Sequence, residues 1–362
     1  LDRQLDMLSG GEQQRLMIAA VSAREADVYI FDEPSSFLDT KQRLAAAAEN
    51  KYVIVVEHDL ALLESISDKV CCLFGEPGAW GAVTPPQASS KAINQSLQGY
   101  FPTLNMRFRP EPLDFRLNSD ISEHGDEAGH CLTQYEASTC VLENEQTATR
   151  FMFHVEAGQV HMHETIVLLG ENGCGKSTFL SFLTQPGAPL EGASFKQQHN
   201  SAMQDYPGTV ARLLEQTIGE ILGDRMFGLL VTKPLRMADL MRKSVAKLSG
   251  GELQRVAIVI CLGTPAESYL LDEPSAGLDC EQRMVVAHVL HRWVRTHLQK
   301  TAVVIEHDLL MASTLANRII CFSGEPGIEC TASAPMAQDI RSPWAVWSRN
   351  RIGIDICRCV QK

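Results

Sequence analysis

Gly170-Glu171-Asn172-Gly173-Cys174-Gly175-Lys176-Ser177-Thr178 is the stretch on which the reading of this chain turns. Ahead of it stands Thr165-Ile166-Val167-Leu168-Leu169, whose β-branched and leucine residues suit a buried strand. Behind it stands Phe179-Leu180-Ser181-Phe182-Leu183, which suits a helix. The spacing G-x-x-x-x-G-K-S between strand and helix is that of a P-loop. Glycines let backbone N–H groups turn inward around concentrated negative charge, and the following helix adds the positive end of its dipole. Lys176 would reach the β- and γ-phosphates of a nucleotide, and Ser177 would hold Mg²⁺. All nine residues of the loop are therefore candidate nucleotide ligands, and the fold class they imply is α/β.

The rest of the composition narrows the setting. At 362 residues the chain has room for about two domains. Its net charge of −12 argues against a protein that coats nucleic acid through overall positive charge; any such contact would be a local basic patch, and no direct DNA partner is expected. No apolar run approaches the ~20 residues that span a bilayer, and no signal peptide is visible, so a cytoplasmic protein without a membrane partner is expected. Eleven cysteines are scattered without a C-x-x-C pair, which favours reduced thiols over a metal site.

An internal repeat fixes the architecture. Leu8-Ser9-Gly10-Gly11-Glu12-Gln13-Gln14-Arg15 reappears as Leu248-Ser249-Gly250-Gly251-Glu252-Leu253-Gln254-Arg255, and Asp32-Glu33-Pro34-Ser35 as Asp272-Glu273-Pro274-Ser275, both offset by 240 residues. Leu38-Asp39 matches Leu278-Asp279 at the same offset. Beyond that point the offset becomes 249, as in Glu57-His58-Asp59 against Glu306-His307-Asp308. The first unit is thus nine residues shorter in the segment matching the helical pattern of 281–299, with either a stunted helix over 41–49 or an internal gap. The second unit carries its P-loop 79 residues before Ser249, whereas the first begins only eight residues before Ser9, so its P-loop half is expected to be missing from this chain. The division expected is 1–86 for the incomplete first unit, 87–130 for a connector with a short helix around 88–98 and an exposed loop over 118–130, 131–335 for the second unit, and 336–362 for a divergent tail.

Each repeated motif has a chemical task. Ser249 before Gly250 and Gly251 is placed to cap a helix while the glycines let backbone approach a ligand, giving a second phosphate-binding surface. Asp272 and Glu273 end an apolar strand. The first would bind Mg²⁺, and the second would polarise an attacking water. His307, beyond the next strand, would contact the γ-phosphate, and Gln198 would link metal and water to a moving subdomain. Cys174 admits two readings: an inert small residue, or a reactive thiol with a pKa lowered by the helix terminus and Lys176.

This constellation resembles the ATP-binding-cassette family: P-loop, Gln loop, Leu-Ser-Gly-Gly-Glu signature, Asp-Glu strand, the loop Ser275-Ala276-Gly277-Leu278-Asp279 and the switch His307. With the connector Gly99-Tyr100-Phe101-Pro102 to Asn105-Met106-Arg107-Phe108-Arg109, it resembles the E subfamily, that of the ribosome-recycling ATPases or RNase L inhibitors. The resemblance implies tandem ATP-binding-cassette P-loop NTPase domains, the first incomplete, that use ATP and Mg²⁺ to split ribosomes after termination and to act again at initiation. It implies the small ribosomal subunit and release and initiation factors as partners, and two [4Fe–4S] clusters only in an N-terminal region this chain lacks. It further implies a head-to-tail site in which Ser9, Gly10, Gly11 and Asp39 of the first unit face the second unit's P-loop. Ser249, Gly250 and Gly251 would then serve a P-loop outside this chain, and Tyr135 is the best match to the aromatic that stacks on adenine. Other classes left open are a cassette ATPase of translation elongation or DNA repair, a transporter's ATPase subunit, and an inactive fragment.

Overall fold

The computed structural model describes residues 10–34, 52–76, 79–109, 112–113, 130–144, 149–185, 187–188, 190–198 and 201–337. The expected short helix at 41–49, nearly all of the loop at 118–130 and nearly all of the tail lie outside them. The chain divides into two compact units between Phe115 and Arg116.

The first unit contains helix α1 (Gly10–Ser22), the parallel strand pair β1 (Val28–Asp32) and β2 (Tyr52–Val56), helix α2 (Leu60–Ile66), strands β3 (Lys69–Val70), β4 (Leu73–Glu76), β5 (Trp80–Val83) and β6 (Gln87–Ala88), and helix α3 (Ser89–Gln98). The connector is folded onto this unit. Helix α3 buries Ala92 and Ile93 and ends at Gly99, whose φ of 68° gives the left-handed cap that glycine accepts without strain. Tyr100-Phe101 (β7) and Met106-Arg107 (β8) then pair antiparallel. Phe101 stacks on Phe108 with ring centroids 4.9 Å apart, and both lean on Phe74 of β4. Arg109 donates to the carbonyls of Ser96 and Leu97 at the end of α3.

The second unit adds the antiparallel strands β9 (Cys131–Tyr135), β10 (Ser138–Asn144), β11 (Thr149–Val155) and β12 (Gly158–His161), then β13 (Thr165–Leu169), helix α4 (Lys176–Thr184) and β14 (Ser194–Lys196). Helices α5 (Val210–Leu222) and α6 (Gly250–Gly263) lead to β15 (Ser268–Asp272). Helix α7 (Cys280–Val289), β16 (Thr301–Ile305), helix α8 (Leu309–Leu315), β17 (Arg318–Glu325), β18 (Glu329–Ala332) and β19 (Met336–Ala337) complete it. Strands β17, β13, β16, β15 and β14 lie side by side in that order, all parallel, with β18, β11 and β10 extending the β17 edge.

Strand β13 shows why its sequence is continuously apolar. Val167 and Leu169 enter one core with α5, α6 and Trp293, while Ile166 and Leu168 enter another with Phe153, Phe179 and Phe322. Both faces of the sheet are covered, so period-2 alternation with polar residues would leave half the strand unpaired with its surroundings. The order of the strands also places the ends of β13, β16 and β15 next to one another at one edge of the sheet, where an open α/β sheet carries its site.

The repeat is reproduced bond by bond. Gln14 Nε2 donates to the Glu33 carbonyl, and Gln254 Nε2 donates to that of Glu273. Glu33 and Glu273 adopt φ of 44° and 46°, an uncommon left-handed backbone that both copies retain. Thr84 closes on Cys72 as Ser333 closes on Cys321. The two units differ in cover. Strands β15 and β16 are buried at every position, whereas Ile30 is 66% exposed and Tyr52 77% exposed on the equivalent β1 and β2. Among the described residues of the first unit nothing corresponds to β13, α4 or the P-loop that flank the second pair.

Candidate nucleotide site

The P-loop leaves β13 as a turn whose left-handed positions, Gly173 (φ 81°) and Gly175 (φ 87°), are both glycines. Gly170 is required for a different reason: a Cβ there would stand 2.5 Å from the Phe322 Cβ and 2.9 Å from its carbonyl oxygen. Helix α4 starts at Lys176, and the buried Lys176 ammonium donates to the carbonyls of Gly170 and Glu171, both at 2.8 Å. The lysine is thereby folded back over the loop whose charge it would complement.

Ser177, Asp272, Glu273, Gln198 and His307 converge on this loop. Ser177 Oγ donates to Asp272 Oδ2 at 3.2 Å. Burial raises the Asp272 carboxyl above its ordinary range and the neighbouring Glu273 charge adds to this, with the Ser177 hydrogen bond pulling the other way. Glu273 follows the opposite course: burial alone would raise it, but the His307 hydrogen bond and charge, with Gln198 and Lys176, hold it at about 2. The His307 Nε2 to Glu273 Oε1 distance is 3.2 Å, with side-chain exposures of 12% and 14%. The equivalent His58 and Glu33 are 3.3 Å apart but each 42% exposed.

Behind these groups lies a buried scaffold. Glu306 is fully buried. Its carboxylate accepts from the Ser275 hydroxyl at 2.7 Å, the Ser275 N–H at 3.2 Å and the His307 N–H at 3.2 Å. Burial pushes it up to about 7 against the Ser275 hydrogen bond. The Lys196 ammonium donates to the Asp272 carbonyl at 2.7 Å; burial pulls it down to about 8, while the charges of Asp272, Glu306 and Glu273 oppose the fall. Glu306 stands in the repeated Glu-His-Asp motif and Lys196 two residues before Gln198, but the sequence assigns neither a task.

Away from the P-loop, Ser249 caps α6 in a capping box: its hydroxyl accepts from Glu252 N–H, and the Glu252 carboxylate accepts from Ser249 N–H at 3.0 Å. A Cβ at Gly251 would stand 2.7 Å from the Gly277 carbonyl, so the signature glycine is what lets the loop ending in Asp279 pack against it. Asp279 itself caps α7, accepting from Gln282 N–H at 2.8 Å. Gly10 and Gly11 open α1 as Gly250 and Gly251 open α6, while Ser9 and Asp39 lie outside the described residues.

Two expectations are corrected. Tyr135 is 5% exposed, its ring edge-on to Phe179 within the second core, so its face is not offered to a base. Two aromatics of β11 stand beside the loop, Phe151 and Phe153, each with ring atoms 3.2 Å from where a Gly175 Cβ would lie; Phe153 is fully buried and Phe151 half-buried. Their only sequence signal is the alternation Phe151-Met152-Phe153. The low-pKa reading of Cys174 also fails. The thiol is buried and hydrogen-bonded to Cys330, and burial raises its pKa more than Lys176 lowers it.

The donor set fits a nucleotide with its magnesium. Ser177 and Asp272 bring hard oxygen ligands together beside a glycine cradle and a lysine, the composition a small divalent cation on a phosphate requires. Among the described residues no three His, Cys, Asp or Glu side chains form a metal cluster of their own.

Comparison with known proteins agrees with this geometry. The profile of the family described as ABC transporter matches residues 1–36 and 154–276, which include both Asp-Glu strands and the P-loop. The ABC transporter E family member 1 of Arabidopsis thaliana is 43% identical over 354 residues, covering 93% of this chain and 57% of the relative. The E family member 3 of the same plant is 40% identical over 162 residues, which are 89% of its length and 41% of this chain. The chain belongs to the E family of ABC proteins. The crystal structure of an archaeal ribosome recycling factor of this family, in complex with an archaeal ribosomal stalk protein, superposes with a TM-score of 0.79 at 39% identity over 93% of this chain and 66% of that one. The chain spans little more than half the length of E family member 1. No helix among its described residues is long and apolar enough to cross a membrane, although the family carries the transporter name.

Proposed function

We propose that the second unit is a Mg-dependent ATP hydrolase site within a twin-cassette protein that couples ATP binding and hydrolysis to splitting of ribosomes into subunits and to translation initiation. The observation that carries the chemical part is the placing of the Glu273 carboxylate, largely buried, 3.2 Å from His307 Nε2 and beside the P-loop lysine, surroundings that keep it ionised. An ionised, buried carboxylate at that place is suited to orient a water for attack on a γ-phosphate. Residues 170–178 would wrap the phosphates, with Lys176 leaving its two carbonyl partners to meet them. Ser177, Asp272 and Gln198 would hold Mg²⁺, whose contribution is to neutralise charge on the phosphate oxygens. His307, already on Glu273, would report the γ-phosphate. Phe151 rather than Tyr135 would supply the apolar face for the base.

The E-family resemblance extends the reading to a partner contribution by Ser9, Gly10, Gly11 and Asp39, to the small ribosomal subunit with release and initiation factors, and to the cytoplasm as the place of action. The solved relative supports this by what it is: a ribosome recycling factor bound to a ribosomal stalk protein. Sedimentation tests it. MgATP should move the chain into the small-subunit fraction of a gradient. Co-migration with DNA or with solubilised membranes instead would replace the ribosomal reading with that of a repair or transporter cassette.

A further inference from the structure

Lys196 is an expensive residue to bury. It is 3% exposed, on the edge strand β14, two positions before Gln198 and in register with Leu271 of β15. The side chains on the same face of that strand, Ser194 and Lys196, turn inward, and Ser194 ties itself to the Cys261 carbonyl at 2.7 Å. A lysine enclosed in this way carries a heavy desolvation penalty unless its donors are used. An aliphatic side chain would fill the same space without that cost.

The donors are used on backbone at one place. Lys196 Nζ reaches the Asp272 carbonyl at 2.7 Å and the Glu273 carbonyl at 3.4 Å. Gln254 Nε2 meets the same Glu273 carbonyl at 2.7 Å. Between these two carbonyls the chain takes the left-handed turn at Glu273, φ 46°. A non-glycine residue in that region persists only where its surroundings hold it. That turn carries the Glu273 carboxylate away from the strand direction and towards His307 at 3.2 Å. The carboxylates of Asp272, Glu273 and Glu306 all act on the ammonium, so one cation serves three anions.

We propose that Lys196 is a positioning residue for the hydrolysis step: it clamps the carbonyls of Asp272 and Glu273 and so fixes the turn that aims the Glu273 carboxylate. The inference rests on the ATPase reading above. Lys196 touches no reacting atom, so losing it should spare nucleotide binding and lower turnover.

The test compares the full chain, Lys196→Met, Lys196→Gln, Glu273→Gln and the Lys196→Met/Glu273→Gln pair, with MgATP. Expected for both single lysine variants are a KM within about threefold of the parent and a kcat lower by roughly 100-fold, the scale of a small misplacement of a catalytic group. Because the lysine acts through Glu273, the double variant should be no slower than Glu273→Gln alone. A parental kcat in the lysine variants overturns the proposal. Loss of nucleotide binding or of folded protein in both makes Lys196 a structural anchor and overturns it too. A parent chain without turnover removes the ATPase reading, and this inference with it.

Discussion

Replacing His307 by alanine should cost stability in a pH-dependent way, and more than the equivalent change at His58. Glu273 stands at about 2 against an ordinary 4.5, with His307 the main cause of the fall and burial opposing it. At about 1.4 kcal/mol per pH unit, the difference amounts to roughly 3 kcal/mol of preference for the ionised form, as an order of magnitude. The sign follows from linkage. A carboxyl depressed in the folded state contributes its stability above the unfolded value and loses it as pH falls through the folded one, here between 4.5 and about 2. Without His307 only Gln198 and Lys176 are left to oppose the burial that raises Glu273, so much of the contribution is lost. The cost of His307→Ala should therefore be at most about 3 kcal/mol near pH 5 and about half that near pH 3, over a pH-independent packing remainder. His58 and Glu33 are each 42% exposed, so His58→Ala should cost at most about 1 kcal/mol. Urea unfolding measures this, the second unit followed by the fluorescence of the buried Trp293 with Trp80, Trp344 and Trp347 replaced by Phe, and the first unit by that of Trp80 with Trp293, Trp344 and Trp347 replaced. If the His307→Ala cost is the same near pH 5 and near pH 3, or no larger than that of His58→Ala, the electrostatic account of Glu273 is wrong.

Further outcomes follow from the same geometry. Lys176→Ala should leave the fold intact and abolish MgATP binding, read by equilibrium dialysis; retained binding would remove the lysine from the phosphate site. Gly170→Ala forces a Cβ to 2.5 Å from Phe322, an overpacking of about 1–3 kcal/mol that should lower the Tm of the second unit by roughly 2–12 °C in calorimetry. Iodoacetamide at neutral pH should label the exposed Cys71 and Cys131 well before the buried Cys174, as peptide mass spectrometry would show; equal rates would contradict the raised thiol pKa.

What the sequence made legible was local. The strand, loop and helix around residues 170–178, the helix cap at Ser249 and the helix over 88–98 are each specified by neighbours within a few residues, so spacing alone reveals them. The repeat then carried the same reading to the first unit, and the structure adds the paired bonds of Gln14 and Gln254. What stayed hidden depends on distant neighbours. Cys174 sits beside a helix start and a lysine, both of which lower a thiol pKa, but the enclosure that raises it comes from β18 and the aromatic core. Tyr135 is drawn into the core while Phe151 and Phe153 stand beside the loop, because which aromatic lies there depends on the packing of β11, not on its letters. Lys196 and Glu306 look like ordinary strand-end charges until the fold shows one clasping two carbonyls and the other receiving three donors.

Substituting Glu273 by glutamine and following both MgATP retention and phosphate release tests the account most directly. The variant should hold the nucleotide with parental affinity and release phosphate at least about 100-fold more slowly, since the shape is kept and only the carboxylate is lost. Phosphate release at the parental rate would show that Glu273 does not orient the attacking water.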